Sequence, residues 1–146
     1  MSAMDKSNKF SFFQELIGET LEKLKVENAE LHKKKDHFPR ESFEKISQYL
    51  AELEEIANHL EFPLFRSCFG DIKEVVHYCT LVENPRAHKK VAILSLDFET
   101  TLSALKDSLS DRDKLKPIIK SLELQVNKVD RLKRAEFYSI SQAKAS

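Results

Sequence analysis

The sequence predicts an all-α fold, specifically an antiparallel up-and-down helical bundle of four to five long helices. The chain has only 2 glycines and 4 prolines in 146 residues, and a sheet protein would need more turn residues than this. Its 33% charged and 41% hydrophobic residues are typical of long amphipathic helices. Apolar residues also recur at helical spacing along the chain, most clearly over residues 64–82, which read LFRSCFGDIKEVVHYCTLV.

The length predicts one domain that can bury a core without a metal or disulfide staple. We expect residues 1–8 to be a flexible N-terminus, residues 9–140 a single helical-bundle domain and residues 141–146 a flexible C-terminal tail.

The first helix is predicted to begin after Ser7 or Asn8, since either side chain can cap a helix, and to run to about Lys35. Two positions of its apolar stripe are polar, Thr20 and Asn28. The whole stripe consists of Phe10, Phe13, Ile17, Thr20, Leu21, Leu24, Asn28 and Leu31. Phe12, Leu16 and Val26 fall outside this stripe, which indicates that the helix could be contacted on two sides.

Prolines divide the next two helices, because proline disfavours helix in the preceding residue and is accepted at a helix start. The second helix is predicted over residues 39 to 59 or 60, and Phe62-Pro63 opens the third, which carries the apolar stretch 64–82. Gly70 lies opposite the apolar face of the third helix, where it indicates either a close helix contact or a bend.

Asn84-Pro85 predicts the start of a fourth helix over residues 85–109. Ser110 and Asp113 have the spacing of a capping box, so the last helix starts either at Asp111 with an early proline kink or only at Pro117. We expect four helices to form the core, with the first or last able to pack outside it.

Charge and composition narrow the function classes. Lys+Arg and Asp+Glu both number 24, so the long-range attraction that dominates phosphate-backbone binding is missing, and we expect no nucleic-acid partner. The sequence shows neither an uncharged apolar run long enough for a membrane span nor a signal-peptide core at the N-terminus. We therefore expect a soluble, cytoplasmic protein.

Cys68 and Cys79 are 11 residues apart on one helical face, a separation of about 16 Å along the axis, which is too far for a disulfide. We interpret them as small buried hydrophobic residues in a reducing compartment.

No catalytic, cofactor or metal pattern stands out, so we expect a protein that is not an enzyme. A di-iron bundle needs two Glu-x-x-His pairs, and this chain has one, Glu74 with His77, opposite the apolar stripe. Gly18 and Gly70 are the only glycines, which excludes the usual glycine-rich phosphate loop.

One alternative function is phosphotransfer through a histidine side chain. Candidate phosphoacceptors are His32, His59 and His77, and a small helical bundle with such a histidine resembles histidine phosphotransfer domains of bacterial-type phosphorelays. That resemblance implies a lysine three residues after the histidine and then a glycine. His32 has Lys35 at that distance but Asp36 in place of the glycine, and the other two histidines match neither requirement.

Several apolar residues fall outside the main stripes of the helices. They favour a non-catalytic protein-binding module as the function, such as an adaptor, a chaperone-like subunit or a regulatory domain. Contiguous residues of this kind form a groove that accepts an amphipathic helix of another protein or a second copy of the chain. A further alternative is a carrier that holds a lipid or small apolar ligand between its helices. The candidate partner-binding residues are Phe12, Leu16, Val26, Tyr78, Leu81, Ile93, Leu96, Leu124 and Tyr138.

Overall fold

The computed structural model describes residues 6–34, 36–138 and 140, and over these residues the chain is an all-α helical bundle, as predicted. The helices are α1 (Lys6–Leu31), α2 (Arg40–His59), α3 (Pro63–Tyr78), α4 (Pro85–Lys106) and α5 (Arg112–Glu136). α1 already includes residues 6–8 of the segment that we expected to be flexible. Residues 1–5 and the tail 141–146 lie outside the described residues.

α1 ends earlier than the predicted Lys35, a residue outside the described part of the chain. Beyond Leu31, the Lys33 N–H donates to the Glu30 carbonyl at 3.4 Å, which is an i to i−3 bond. Asp36 then adopts a left-handed backbone with φ 61°. A continuing right-handed helix cannot contain that conformation, so the chain turns here.

The stretch 64–82 does not form one helix. α3 ends at Tyr78, and the following residues form a turn in which the Thr80 N–H donates to the His77 carbonyl at 2.8 Å. α4 likewise ends at Lys106 rather than at the predicted Leu109. In the turn that follows it, the Ser108 N–H donates to the Leu105 carbonyl at 3.1 Å. Periodicity continues through these turns because apolar residues in them, Cys79 and Leu109, are still buried.

α5 begins at Arg112 and contains Pro117, which corresponds to the earlier of its two predicted starts. The predicted capping box is wrong, because Ser110 is exposed and Asp111 is the capping residue. The Asp111 Oδ1 atom accepts from the backbone N–H groups of Asp113 at 3.1 Å and Lys114 at 3.3 Å.

The principal helix contacts form a closed ring in the order α1, α2, α3, α5, α4 and back to α1. A closed ring with an odd number of helices cannot be antiparallel at every contact. The parallel pair is α3 and α5, because Glu74 meets Lys133 at 3.2 Å and Tyr78, one turn later, meets Phe137 at 5.4 Å between ring centroids. Every helix belongs to the ring. Neither the first nor the last helix packs outside it, although the sequence had allowed this arrangement.

Phenylalanine side chains fill the middle of the bundle. Phe13 lies 5.2 Å from Phe62 and 6.4 Å from Phe69 between ring centroids, and Phe69 meets Phe98 edge-on at 5.7 Å. These contacts join α1, α3, α4 and the turn before α3. They occupy the interior in which an apolar ligand would have to sit.

Gly70 marks a close helix contact rather than a bend. α3 runs through this position without interruption, and a Cβ atom there would collide with the carboxylate of Glu54 on α2. That carboxylate accepts a hydrogen bond from Lys73 at 2.5 Å. The missing side chain therefore leaves room for an ion pair between α2 and α3.

Candidate functional site

An apolar groove with a volume of about 280 Å³ runs between α4 and α5 on the outside of the bundle. We call it the α4–α5 groove; it is lined by Lys90, Ile93, Leu94, Asp97, Lys128, Arg131, Leu132 and Ala135. The two helices that form it are antiparallel neighbours. Their register is fixed one turn beyond Asp97 and Lys128, where the buried Gln125 donates to the Thr101 hydroxyl at 2.8 Å.

Ion pairs border the groove. The Lys128 ammonium lies 3.6 Å from the Asp97 carboxylate, so this pair joins α5 to α4 at one end of the groove. Both side chains remain about half exposed, and such a pair contributes little to stability. A polar partner can therefore displace or rearrange it at low cost.

A second group of charges closes the other end of the groove around Glu136, whose side chain is buried. Its Oε1 atom lies 3.0 Å from both the Lys90 ammonium and the Arg86 guanidinium, and Asn84 donates to Oε2 at 3.2 Å. The Glu136 pKa lies below its ordinary value, chiefly because the hydrogen bond from Lys90 favours the carboxylate. The hydrogen bond from Asn84 and the charges of Arg86 and Lys90 act in the same direction, whereas burial acts in the opposite one. Glu136 thus stays ionised and anchors the end of α5 to the start of α4.

Three of the predicted partner-binding residues lie in or beside this groove. Ile93 lines it with 49% of its surface exposed. Leu96, 42% exposed, lies one turn along α4, and Leu124, 54% exposed, lies one turn before Lys128 on α5. Side chains three or four residues apart on a helix are surface neighbours, so these residues extend the apolar surface beyond the groove itself.

The other candidates are scattered. Phe12 and Val26 are exposed on α1, Leu81 is exposed in the turn after α3, and Tyr138 is exposed beyond the end of α5. Leu16 is half-buried. None of these side chains lines the α4–α5 groove.

Tyr78 was wrongly predicted to be a partner-binding residue. It is only 2% exposed, because α5 packs on a second face of α3 and places Phe137 against its ring. Its hydroxyl donates to the Glu74 carboxylate at 2.5 Å, and Glu74 also pairs with Lys133. Tyr78 therefore belongs to the packing between α3 and α5.

Part of the groove wall lies outside the predicted partner-binding residues. Leu94, Leu132 and Ala135 were not among those residues, yet all three line the groove. Their periodicity is that of core residues, and Leu94 and Leu132 are indeed largely buried. Only the pairing of α4 with α5 shows that these residues also form the floor of a surface depression.

The candidate histidines occupy separate places. His32 is exposed just after α1, and its Nε2 atom donates to the Ala92 carbonyl at 3.1 Å. His59 is exposed at the last residue of α2. His77 is exposed in a polar groove of about 620 Å³ along α2 and α3, in which Lys73 already pairs with Glu54.

The remaining chemical candidates form no site. Among the described residues, no three His, Cys, Asp or Glu side chains are grouped so that they could hold a metal ion. Cys68 and Cys79 are free and buried, as predicted. Burial raises the pKa of the Cys68 thiol to about 11 and raises that of Cys79 further, so neither thiol is activated.

Within the described ranges, no helix combines the length with the apolar content that a membrane crossing requires. Comparison with protein-family models, with curated proteins and with solved structures finds no match to this chain.

Proposed function

We propose that this chain is a protein-binding module, and that its α4–α5 groove receives an amphipathic helix from another protein. The observation that supports this most is the concentration of exposed apolar surface at one helix pair, with Ile93, Leu96 and Leu124 in or beside a preformed groove. Apolar patches of this kind, rimmed by polar groups, are typical of protein interaction sites.

The shape of the groove favours a helix as the occupant. Two antiparallel helices present a long, shallow channel, and a third helix can lie in it with side chains at i, i+3, i+4 and i+7 pointing inward. Lys90, Lys128 and Arg131 line the groove against a single acidic residue, Asp97. This surplus of positive charge favours a partner helix that carries acidic residues beside its apolar face.

A cytoplasmic partner is part of the proposal. It is supported by the two free, buried cysteines, since unpaired thiols are usual in a reducing compartment.

The experiment is a selection of displayed helical peptides on the full chain, starting from a library with randomised apolar and polar positions. Recovered peptides are then measured against Ile93→Asp and Leu124→Asp. We expect each substitution to weaken binding by roughly tenfold or more, because a charge within an apolar contact surface costs more than about 1.4 kcal/mol.

Val26→Asp is the matched control, because Val26 is 59% exposed on α1, away from the groove. It should leave peptide affinity unchanged. Recovery of no peptide whose binding depends on Ile93 or Leu124 would contradict the proposal.

A second copy of the chain is the competing occupant. Light scattering over a concentration series, on the full chain and on Ile93→Asp, separates the two. We expect a monomer in both cases. A dimer that Ile93→Asp converts into a monomer would assign the groove to self-association and overturn the proposal of a different partner.

A further inference from the structure

Basic residues surround the start of α4, at the end of the α4–α5 groove where Glu136 lies. We call them the basic collar; it consists of Lys33, Lys34, Arg86, Lys89, Lys90 and Arg131. Lys33, Lys34 and Lys89, with one acid, Asp36, line one depression of about 440 Å³ between the end of α1 and α4. Lys90 and Arg131 line the α4–α5 groove itself. Lys89 lies four residues before Ile93 on α4, and residues at that spacing are neighbours on a helix surface, so the depression adjoins the groove.

Half of the collar's cations have no ion-pair partner among the described residues, whereas Lys33 pairs with Glu30 at 3.9 Å. Across residues 6–34, 36–138 and 140, no carboxylate lies within 4.0 Å of the side-chain nitrogens of Lys34, Lys89 or Arg131. Arg86 and Lys90 share one acid, Glu136, which is buried and offers no further contact. The first turn of α4 adds the partial positive charge of a helix N-terminus to the same region.

The clustering of basic residues in the collar does not follow from the overall composition of the chain. The chain has as many acidic as basic residues, so acids were available to pair with the collar. Like charges held together repel one another, and the repulsion falls when an anionic partner binds. A basic cluster in which three cations lack an ion-pair partner among the described residues, next to an apolar groove, has the charge complementarity that orients a docked, oppositely charged partner.

We infer that the helix received by the α4–α5 groove is acidic at one end, and that this end lies over the basic collar. The inference rests on the proposed function, and it specifies the partner's charge and placement. The apolar groove makes an acidic amphipathic helix a better match than nucleic acid, whose backbone would use the collar and leave Ile93 and Leu124 uncovered.

The first test is the composition of the peptides that the selection recovers. Groove-dependent peptides should be enriched in Asp and Glu at one end, and replacing those residues by Asn and Gln should weaken binding about tenfold. Raising NaCl from about 50 to 500 mM should weaken binding by a similar factor, because the Debye length falls from roughly 14 Å to 4 Å.

The second test exchanges the charges. The Lys89→Glu, Arg131→Glu double variant should lose affinity for the acidic peptides at least tenfold and gain affinity for versions in which Lys replaces the acidic residues. Both side chains are exposed and have no partner among the described residues, so the variant should fold. Lys114→Glu, an exposed site in the first turn of α5, is the control and should change neither affinity.

The outcomes separate the two proposals. Groove-dependent peptides of neutral composition, bound equally well by the charge-reversed chain, would overturn the role of the collar and leave the groove intact. Absence of groove-dependent peptides would overturn both. A duplex DNA probe that bound wild type in the micromolar range, and lost binding on charge reversal, would assign the collar to nucleic acid instead.

Discussion

The side chains of Asn28 and Ser95 exchange hydrogen bonds across the contact between α1 and α4. The Ser95 hydroxyl donates to the Asn28 Oδ1 atom at 2.6 Å, and the Asn28 Nδ2 group donates to the Ser95 carbonyl at 3.2 Å and to Glu99 at 2.9 Å. Both residues are buried, with Asn28 only 1% exposed. A polar network this deep fixes the register of its two helices, because a slip by one turn would leave its groups without partners.

Asn28→Ala should therefore lower the free energy of unfolding by about 2 kcal/mol, since it leaves the Ser95 hydroxyl without its buried acceptor. Urea denaturation followed by circular dichroism measures this. Asn127→Ala is the control, because Asn127 is exposed on α5; it should fall within about 0.5 kcal/mol of wild type. An equal effect of the two substitutions would contradict the register role.

Glu136 should make stability depend on pH. Its pKa is lowered in the folded state, so its stabilising contribution is complete above the unfolded pKa, near 4.3, and is lost as pH falls through the lower folded value. Glu136→Gln should destabilise by about 1 kcal/mol at pH 7, through loss of charge-assisted hydrogen bonds. The difference from wild type should shrink between pH 5 and about pH 3.

Urea unfolding at several pH values measures that difference. Glu83→Gln serves as the matched variant, because Glu83 is an exposed acid in the turn before α4. The free energy of unfolding of Glu83→Gln should differ little from that of wild type at every pH. A Glu136→Gln effect that stayed constant down to pH 3 would rule out ionisation of Glu136 as the cause.

Glu61 occupies a position that normally favours glycine. It has φ 64°, and the turn after α2 has the Schellman pattern, in which the Phe62 N–H donates to the Ala57 carbonyl at 2.8 Å and the Glu61 N–H to Asn58 at 3.2 Å. Glu61→Gly should raise the free energy of unfolding by about 0.5–1 kcal/mol, because glycine removes the left-handed strain.

Thermal or urea unfolding detects this gain. The ion pair from Lys9 to Glu61 is 3.9 Å long, and the Glu61 side chain is 84% exposed, so its loss should matter little. Glu83→Gly provides the comparison, because Glu83 does not have positive φ; it should not stabilise the protein. A loss of stability in Glu61→Gly would show that the glutamate side chain has a role beyond the backbone.

The N-terminus of α5 gives a simple test of capping. Asp111→Ala should destabilise by about 1 kcal/mol, since the Asp111 carboxylate accepts from two backbone N–H groups at the helix start. Ser110→Ala should be close to neutral, because the neighbouring exposed serine is not the capping residue. Denaturant unfolding of the two variants side by side decides the point, and the reverse order of effects would restore the predicted capping box.

Local sequence signals were enough to predict the fold class and the approximate positions of the helices. Apolar periodicity and the Pro39, Pro63 and Pro85 signals depend on neighbours within one or two turns, so they can be interpreted locally. The same local signals misplaced the helix ends near Leu31 and Tyr78. A helix ends where its backbone changes hydrogen-bond partners, and apolar residues beyond that point can still be buried.

The choice of which helices meet depends on three-dimensional packing. The five-membered ring, the parallel pair of α3 and α5, the burial of Tyr78 and the pairing of α4 with α5 all depend on contacts between residues far apart in the chain. One helix face can satisfy its apolar periodicity against any of several partners, so periodicity cannot choose among them. For that reason the sequence identified Ile93 as surplus apolar surface, but only the packing of α5 beside α4 placed it in a groove bordered by positive charge.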